Sequence, residues 1–133
     1  MLPTALENAR AYKATSVGDH LWLRILDLET ALSARTYGRD GRIRLRVHDP
    51  LGFTDGIWDL SVHDSAATVR RAPEGTVAEA SLDIRDLASL YLGGFSATHL
   101  ATSGVLGVHT PKALGTLEAL FSTETIPYCQ ADF

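Results

Sequence analysis

Arg42-Ile43-Arg44-Leu45-Arg46-Val47-His48 is the stretch on which the fold turns. Apolar and polar residues alternate strictly there, which is the period of a β-strand. Ile43, Leu45 and Val47 therefore share one face, and three arginines with His48 share the other. The turn-rich segment Asp49-Pro50-Leu51-Gly52-Phe53-Thr54-Asp55-Gly56 follows, and Ile57-Trp58-Asp59-Leu60-Ser61-Val62-His63 then alternates again. Together they predict an antiparallel hairpin with one wet face. Trp58, Leu60 and Val62 are expected to point inward. Asp59 is expected near the arginines as an exposed cross-strand pair, contributing on the order of a few tenths of a kcal/mol.

Working outward, two further strands are predicted at Ala67 to Arg71 and at Ala78 to Leu82, with the Pro73-Glu74-Gly75 turn between them. Upstream, Leu21-Trp22-Leu23-Arg24-Ile25-Leu26 is a nearly continuous apolar run closed by Asp27. It reads either as a strand buried on both faces or as the lead into a helix. From Asp27, Leu28, Ala31, Leu32 and Arg35 recur every three or four residues and stop before Gly38, which predicts a short amphipathic helix. Downstream the period changes. Asp83 with Asp86 is a helix-start signal, and Leu87, Leu90 and Tyr91 continue at helical spacing to Gly93-Gly94. Ser96 to Ser103 predicts a second short helix, closed by Gly104. Thr110-Pro111 supplies a capping hydroxyl and a first-turn proline ahead of Leu114, Leu117, Leu120 and Phe121. The expected layout is α+β, a mostly antiparallel sheet covered on one face by helices. Residues 1–18 read as a lead-in linker, with a weakly helical Leu6 to Tyr12 and a loop from Lys13 to Gly18. Residues 19–133 read as one domain.

Composition narrows the function classes. With 133 residues, 45% of them apolar, the chain has the material for one core. A net charge of -4 argues against a nucleic-acid partner, because phosphate neutralisation needs clustered cations that an acidic surface would offset. The single cysteine, Cys129, cannot form an internal disulfide, so a cytoplasmic location is expected. No apolar run approaches the roughly 20 residues of a membrane helix. There is no glycine-rich phosphate loop, and no Cys/His spacing suited to zinc, so no metal is expected. His48 and His63 fall on the outer face of neighbouring strands, where they could approach each other but read as surface residues. Cys129 reads as a structural thiol. The arginines at 42, 44 and 46 read as a solvated face or an interdomain contact.

The last residues, Ile126-Pro127-Tyr128-Cys129-Gln130-Ala131-Asp132-Phe133, are largely apolar and put the final α-carboxylate on an aromatic residue beside Asp132. Chain ends are usually small, polar and frayed, whereas this one reads as built to dock. Either the tail is simply packed into the core, or it holds a carboxylate at a fixed address.

Several blocks in order carry a resemblance: Leu21 to Asp27, then Ala31-Leu32 and Tyr37, then Leu90-Tyr91-Leu92-Gly93-Gly94, then Leu120-Phe121, then Pro127-Tyr128-Cys129 with the terminal Phe133. Together they resemble the C-terminal domain of the Eis-type (enhanced intracellular survival) GNAT N-acetyltransferases, which has a sterol-carrier-protein-like fold. The likeness runs from about Asp19 to Phe133. Tyr128 stands where a tryptophan is expected, and Val105-Leu106 follow Gly104 where an arginine is common.

The resemblance implies a parent enzyme with an N-terminal GNAT domain that binds acetyl-CoA, a second GNAT-like domain, and this domain closing the acceptor cleft. The first two would be missing partners, no cofactor would be bound by this chain, and the isolated chain would be inactive. The resemblance also assigns the Phe133 carboxylate the role of general base toward the substrate amine, with Asp132 and Phe133 binding that amine. The acidic pair would attract an aminoglycoside, a polyamine or a lysine-type acceptor. The parent is expected to be a homo-oligomer. Two other readings stand beside this one. One is a free-standing sterol-carrier-like domain holding a lipid or other apolar ligand, with Trp22, Trp58, Phe53 and Phe121 either lining or filling its tunnel. The other is a structural domain for assembly.

Overall fold

The computed structural model describes residues 22–124. The first helix, α1 (Leu28–Ala34), is started by Asp27, whose carboxylate accepts the Thr30 N–H at 3.0 Å and the Thr30 hydroxyl at 2.6 Å. The hydroxyl first and then the backbone N–H hold the Asp27 carboxyl below its ordinary value. The helix buries Leu28 and Leu32, as their spacing requires.

The hairpin forms as read. Strands β1 (Gly41–His48) and β2 (Gly56–His63) pair antiparallel, with Ile43 opposite Leu60, Arg44 opposite Asp59 and Leu45 opposite Trp58. Ile43, Leu45, Val47, Trp58, Leu60 and Val62 are all buried. Strand β3 (Ala66–Arg71) continues antiparallel from β2 through the two-residue loop Asp64-Ser65. Both loop residues have positive φ, 49° and 66°, the backbone of a type I′ turn in which glycine is usual.

After the Pro73-Glu74-Gly75 turn the chain crosses to the other side of β1. Strand β4 (Ala80–Asp83) runs parallel to β1, with Val47 opposite Leu82, and β5 (Leu106–Val108) pairs antiparallel with β4. The strand order is β3-β2-β1-β4-β5. Three of the four pairings are antiparallel, as expected, and the sheet is mixed because β4 is parallel.

β4 passes directly into α2 (Ile84–Leu92), with the Asp83 carboxylate accepting the Arg85 N–H at 2.9 Å. α2 ends at Gly93 in the left-handed conformation, φ 76°. A β-carbon at Gly93 would also run into the Thr123 side chain, so the chain leaving the last helix crosses directly over this glycine. α3 (Ala97–Thr102) is capped by the Ser96 hydroxyl. α4 (Ala113–Phe121) buries Leu117, Leu120 and Phe121. The expected start at Thr110-Pro111 is instead a turn, and no side chain caps α4. The Thr110 carbonyl accepts the Ala113 N–H, so this residue contributes its backbone to the helix entrance.

The core lies between the helices and the inner sheet face and includes Leu28, Leu32, Leu45, Leu60, Leu82, Leu87, Leu117 and Phe121. Burying each such side chain is worth about 1.5–3 kcal/mol against leaving it in water. Of the two readings of the apolar run before α1, the lead into a helix is the one the structure shows, and the strand is not formed. Residues 22–27 have no regular structure; Ile25 is buried, whereas Trp22, Leu23 and Leu26 face solvent. An apolar run without a period specifies no partner strand.

Candidate functional site

Asp132 and Phe133, the two residues assigned chemistry in the sequence, lie outside the described residues, as do Asp19, Tyr128 and Cys129. The structure does describe where the segment that carries them begins. α4 ends at Phe121, and its last turn meets the end of α2 and the residues after α1 around one cation, Arg35.

Arg35 donates to the Tyr91 carbonyl at 2.7 Å and to the Phe121 carbonyl at 3.1 Å, in the last turns of α2 and α4. Its guanidinium also lies 5.4, 6.0 and 5.1 Å from the ring centres of Tyr37, Tyr91 and Phe121. A cation at two helix C-termini is favoured by the dipoles, and the aromatic faces add cation–π attraction. Burial draws the Arg35 pKa down from its usual value. Tyr37 packs edge-on to Phe121 and donates its hydroxyl to the Leu32 carbonyl at 2.8 Å. Burial pushes the Tyr37 phenol up to about 12. The sequence did carry one sign of this arrangement: Arg35 occupies an apolar position in the Leu28, Ala31, Leu32, Arg35 repeat.

Beside this point is a notch of about 170 Å³ lined by residues that include Leu90, Phe95, Ala97, Glu118, Phe121 and Thr123. The Glu118 carboxylate on its wall accepts the Thr98 N–H at 2.9 Å and the Thr98 hydroxyl at 3.0 Å, tying α4 to the start of α3. A second, open groove of about 450 Å³ runs between the start of β1 and α4 and is lined by Asp40, Arg42, Lys112 and small residues. Of the four aromatic residues weighed as tunnel-lining or tunnel-filling, Trp58 and Phe121 are in the core, and Trp22 and Phe53 are exposed.

The outer sheet face carries the arginines, as read. Asp59 accepts from Arg44 at 3.0 Å and stands 3.5 Å from Arg42, while Arg46 donates to both oxygens of Asp55 at 3.1 and 2.9 Å. His48 and His63 do not approach each other. The register that puts Gly41 opposite Val62 sends them to opposite ends of the hairpin. His63 instead has Nδ1 at 3.1 Å from Asp40 and Nε2 at 3.5 Å from Asp64, all three exposed. Each offers one ligand atom, all within 4.8 Å of one another, in an exposed acidic group of a kind that is common without an ion.

One polar cluster went unnoticed in the sequence. Asp49 is buried, and its carboxylate accepts from the Leu51 N–H, the Thr54 N–H and the Thr54 hydroxyl at 3.0, 2.9 and 3.0 Å, and from Arg24. Burial alone would raise its pKa; the bonds from Thr54 and Leu51, together with the Arg24 charge, outweigh it and hold the carboxyl below its ordinary value. Asp55 accepts the Asp49 N–H at 3.1 Å, and Trp58 donates its indole N–H to the Thr54 carbonyl at 2.9 Å. The 49–55 loop is thus rigidly held, and it is joined to the segment before α1 through Arg24.

Set against known proteins, residues 28–130 match the model of the sterol carrier protein domain, well over half of the chain. The chain belongs to the sterol carrier protein domain family. It is 37% identical over 129 residues, 97% of its length, to a Streptomyces avermitilis protein named as an uncharacterized N-acetyltransferase, of which it covers 30%. It is 34% identical over 126 residues to the N-acetyltransferase Eis of Mycobacterium tuberculosis, covering 92% of this chain and 30% of that protein. The crystal structure of Eis1 from Mycobacterium abscessus superposes with a TM-score of 0.85 at 34% identity, over 99% of this chain and 33% of that one. The sterol-carrier-like fold and the Eis-type kinship are therefore both established. The chain spans about a third of the length of these relatives and matches their C-terminal region. Among the described residues no helix is long and apolar enough to cross a membrane.

Proposed function

We propose that this chain serves as the C-terminal domain of an acetyl-CoA-dependent amine N-acetyltransferase of the Eis type, acting on aminoglycoside, polyamine or lysine-type acceptors. The observation that carries the reading is the match of 97% of this chain to 30% of a protein named N-acetyltransferase, with similar shares for Eis itself. In this reading the preceding GNAT domains bind acetyl-CoA, and this domain closes the acceptor cleft. The Phe133 carboxylate takes a proton from the acceptor ammonium, and Asp132 adds negative potential that concentrates a cationic acceptor.

The chemistry makes demands on that carboxylate. A free α-carboxylate has a pKa of about 3.3–3.7 and is a weak base toward an ammonium group. Burial and the like charge of Asp132 raise it, while the bound cation lowers it. A fixed position is what the role requires, and the grip of Arg35 on the Phe121 carbonyl gives the terminal segment a defined point of departure. The alternative of an apolar-ligand carrier gains less support. Trp58 and Phe121 are part of the packed core, the notch of about 170 Å³ is small beside the roughly 300–1,000 Å³ of ordinary ligand sites, and the groove of about 450 Å³ is open and lined by the charged Asp40, Arg42 and Lys112, a poor setting for an apolar ligand.

The test is made in the full-length polypeptide. Extending the chain beyond Phe133, or deleting Phe133, should lower turnover by about 10²–10⁴, the usual worth of a positioned acid or base, with little loss of melting temperature. Unchanged turnover rejects the terminal base. The 133-residue chain alone is expected to show no acetyl transfer.

A further inference from the structure

Two exposed segments of this domain carry side chains that do not belong in water. Before α1, Trp22 is 87% exposed, and Leu23 and Leu26 are exposed beside it; in the 49–55 loop, Leu51 is 64% and Phe53 58% exposed. The ion pair between Arg24 and Asp49 holds the two segments together, since Arg24 lies between Trp22 and Leu26 and Asp49 also binds the Leu51 N–H. Trp22 and Phe53 alone leave roughly 300 Å² of ring surface in water. Three exposed leucines on the same two segments add to it, and so much apolar surface in water marks an interaction site.

The backbone beneath this patch is fixed. Asp49 and Asp55 together accept three backbone N–H groups of the 49–55 loop, Arg71 donates to the Asp55 carbonyl at 2.6 Å, and Trp58 donates to the Thr54 carbonyl. A loop so firmly tied has little ordering entropy left to lose on association, which is the property of a preorganised contact surface. Its composition, large aromatic and aliphatic side chains around an arginine, is that of the energetic centre of a protein interface.

From this we infer that the Trp22/Leu23/Leu26 and Leu51/Phe53 surface docks against the acetyltransferase portion that precedes this domain in its relatives. The inference rests on the proposed function, in which the domain works within a longer acetyltransferase. Two observations select that occupant. The domain accounts for only about 30% of the relatives it matches, so the same fold is found joined to more than twice its own length of chain. Any preceding portion is also joined to the described fold through Trp22, one of the exposed residues of this surface. The arginine-bearing sheet face is the weaker candidate, because Asp59 and Asp55 already take up most of its charge.

Hydroxyl-radical footprinting of the full-length polypeptide and of the 133-residue chain tests this directly. Oxidation of Trp22, Leu51 and Phe53 should slow roughly tenfold in the longer protein, as side chains in a water-excluding interface do, while Val77 and Phe95, exposed elsewhere, stay equally reactive. Equal rates in the two proteins overturn the proposal. So does slow oxidation already present in the 133-residue chain, which would mean that its own lead-in residues cover the patch. Protection that grows with the concentration of that chain would assign the surface to a second copy, and also overturns it. Phe53→Ser should leave the melting temperature of the chain unchanged yet shift the docked equilibrium of the longer protein by about 30-fold. If the patch is protected in a protein that transfers no acetyl group, the surface stands and the functional reading falls. If acetyl transfer proceeds with the patch fully reactive, the reverse holds.

Discussion

Asp49 and Asp59 each meet an arginine, and the two regions differ in almost everything else. Asp59 sits on the outer sheet face between Arg44 and Arg42, open to water and salt. Asp49 is covered, and four donors converge on it. Identical pair chemistry therefore does different work. On the sheet face it keeps a wet surface soluble and in register, whereas at Asp49 it fixes the course of a loop and joins that loop to the segment before α1. The contrast teaches that the residues around a charge, more than its partner, decide its structural weight.

The comparison is most easily broken at Asp49. Asp49→Ala should lower the melting temperature by about 10 °C, because it removes the acceptor of several buried donors at once. A loss no larger than that of an outer-face substitution would show that the two regions are equivalent. The acid limb sharpens the point. Asp49 and Asp55 are both held below their ordinary values, Asp55 by the Asp49 N–H first and then by Arg46. Their contribution is fully present above the unfolded carboxylate value of about 3.9 and is lost as pH falls through the lower folded values. Denaturant midpoints measured down the pH scale should drop steeply below about pH 4, and less so in Asp49→Ala.

Tyr37 is a second buried polar group and should respond like Asp49 on a smaller scale. Tyr37→Phe removes the bond to the Leu32 carbonyl and should cost about 1–2 kcal/mol in chemical denaturation. With its phenol raised to about 12, the native tyrosine favours folding fully below the unfolded value of about 10. That stabilisation disappears as pH climbs through 12, so the phenylalanine variant should lose less stability across this window. Ser65→Gly, in the left-handed turn between β2 and β3, should raise stability by about 0.5–1 kcal/mol. Asp59→Asn should change stability by only about a few tenths of a kcal/mol, an effect that fades further in salt.

Local signals were legible where they were self-contained. The alternation of residues 42–48 and 57–63 fixes which side chains face the core, and the hairpin follows from the turn residues between them. Asp27, Asp83 and Ser96 announce helix starts because their oxygens satisfy nearby N–H groups. What escaped depends on partners distant in sequence. The parallel pairing of β4 with β1 leaves no mark in either strand, and β5 is only three residues long. Leu21 to Leu26 leaves a strand and a helix lead-in equally open, because an apolar run reports what must be covered and not what covers it. Thr110-Pro111 is a sound start signal, but the backbone turns there and the helix begins at Ala113. The aromatic setting of Arg35 joins residues as far apart as 35, 91 and 121, so only its apolar helix position hinted at it. The proposed terminal base rests on the family resemblance, and its residues lie outside the described ones.

The central place of β1 has a practical consequence. Because β2 flanks it on one side and β4 on the other, the exposed turn at Pro73-Glu74-Gly75 separates two halves that meet along one strand ladder and through the shared core under the helices. Severing the backbone there yields complementary fragments whose reunion must rebuild that ladder and the core beneath it together, so any reporter split across the cut would read out the assembly of the whole domain.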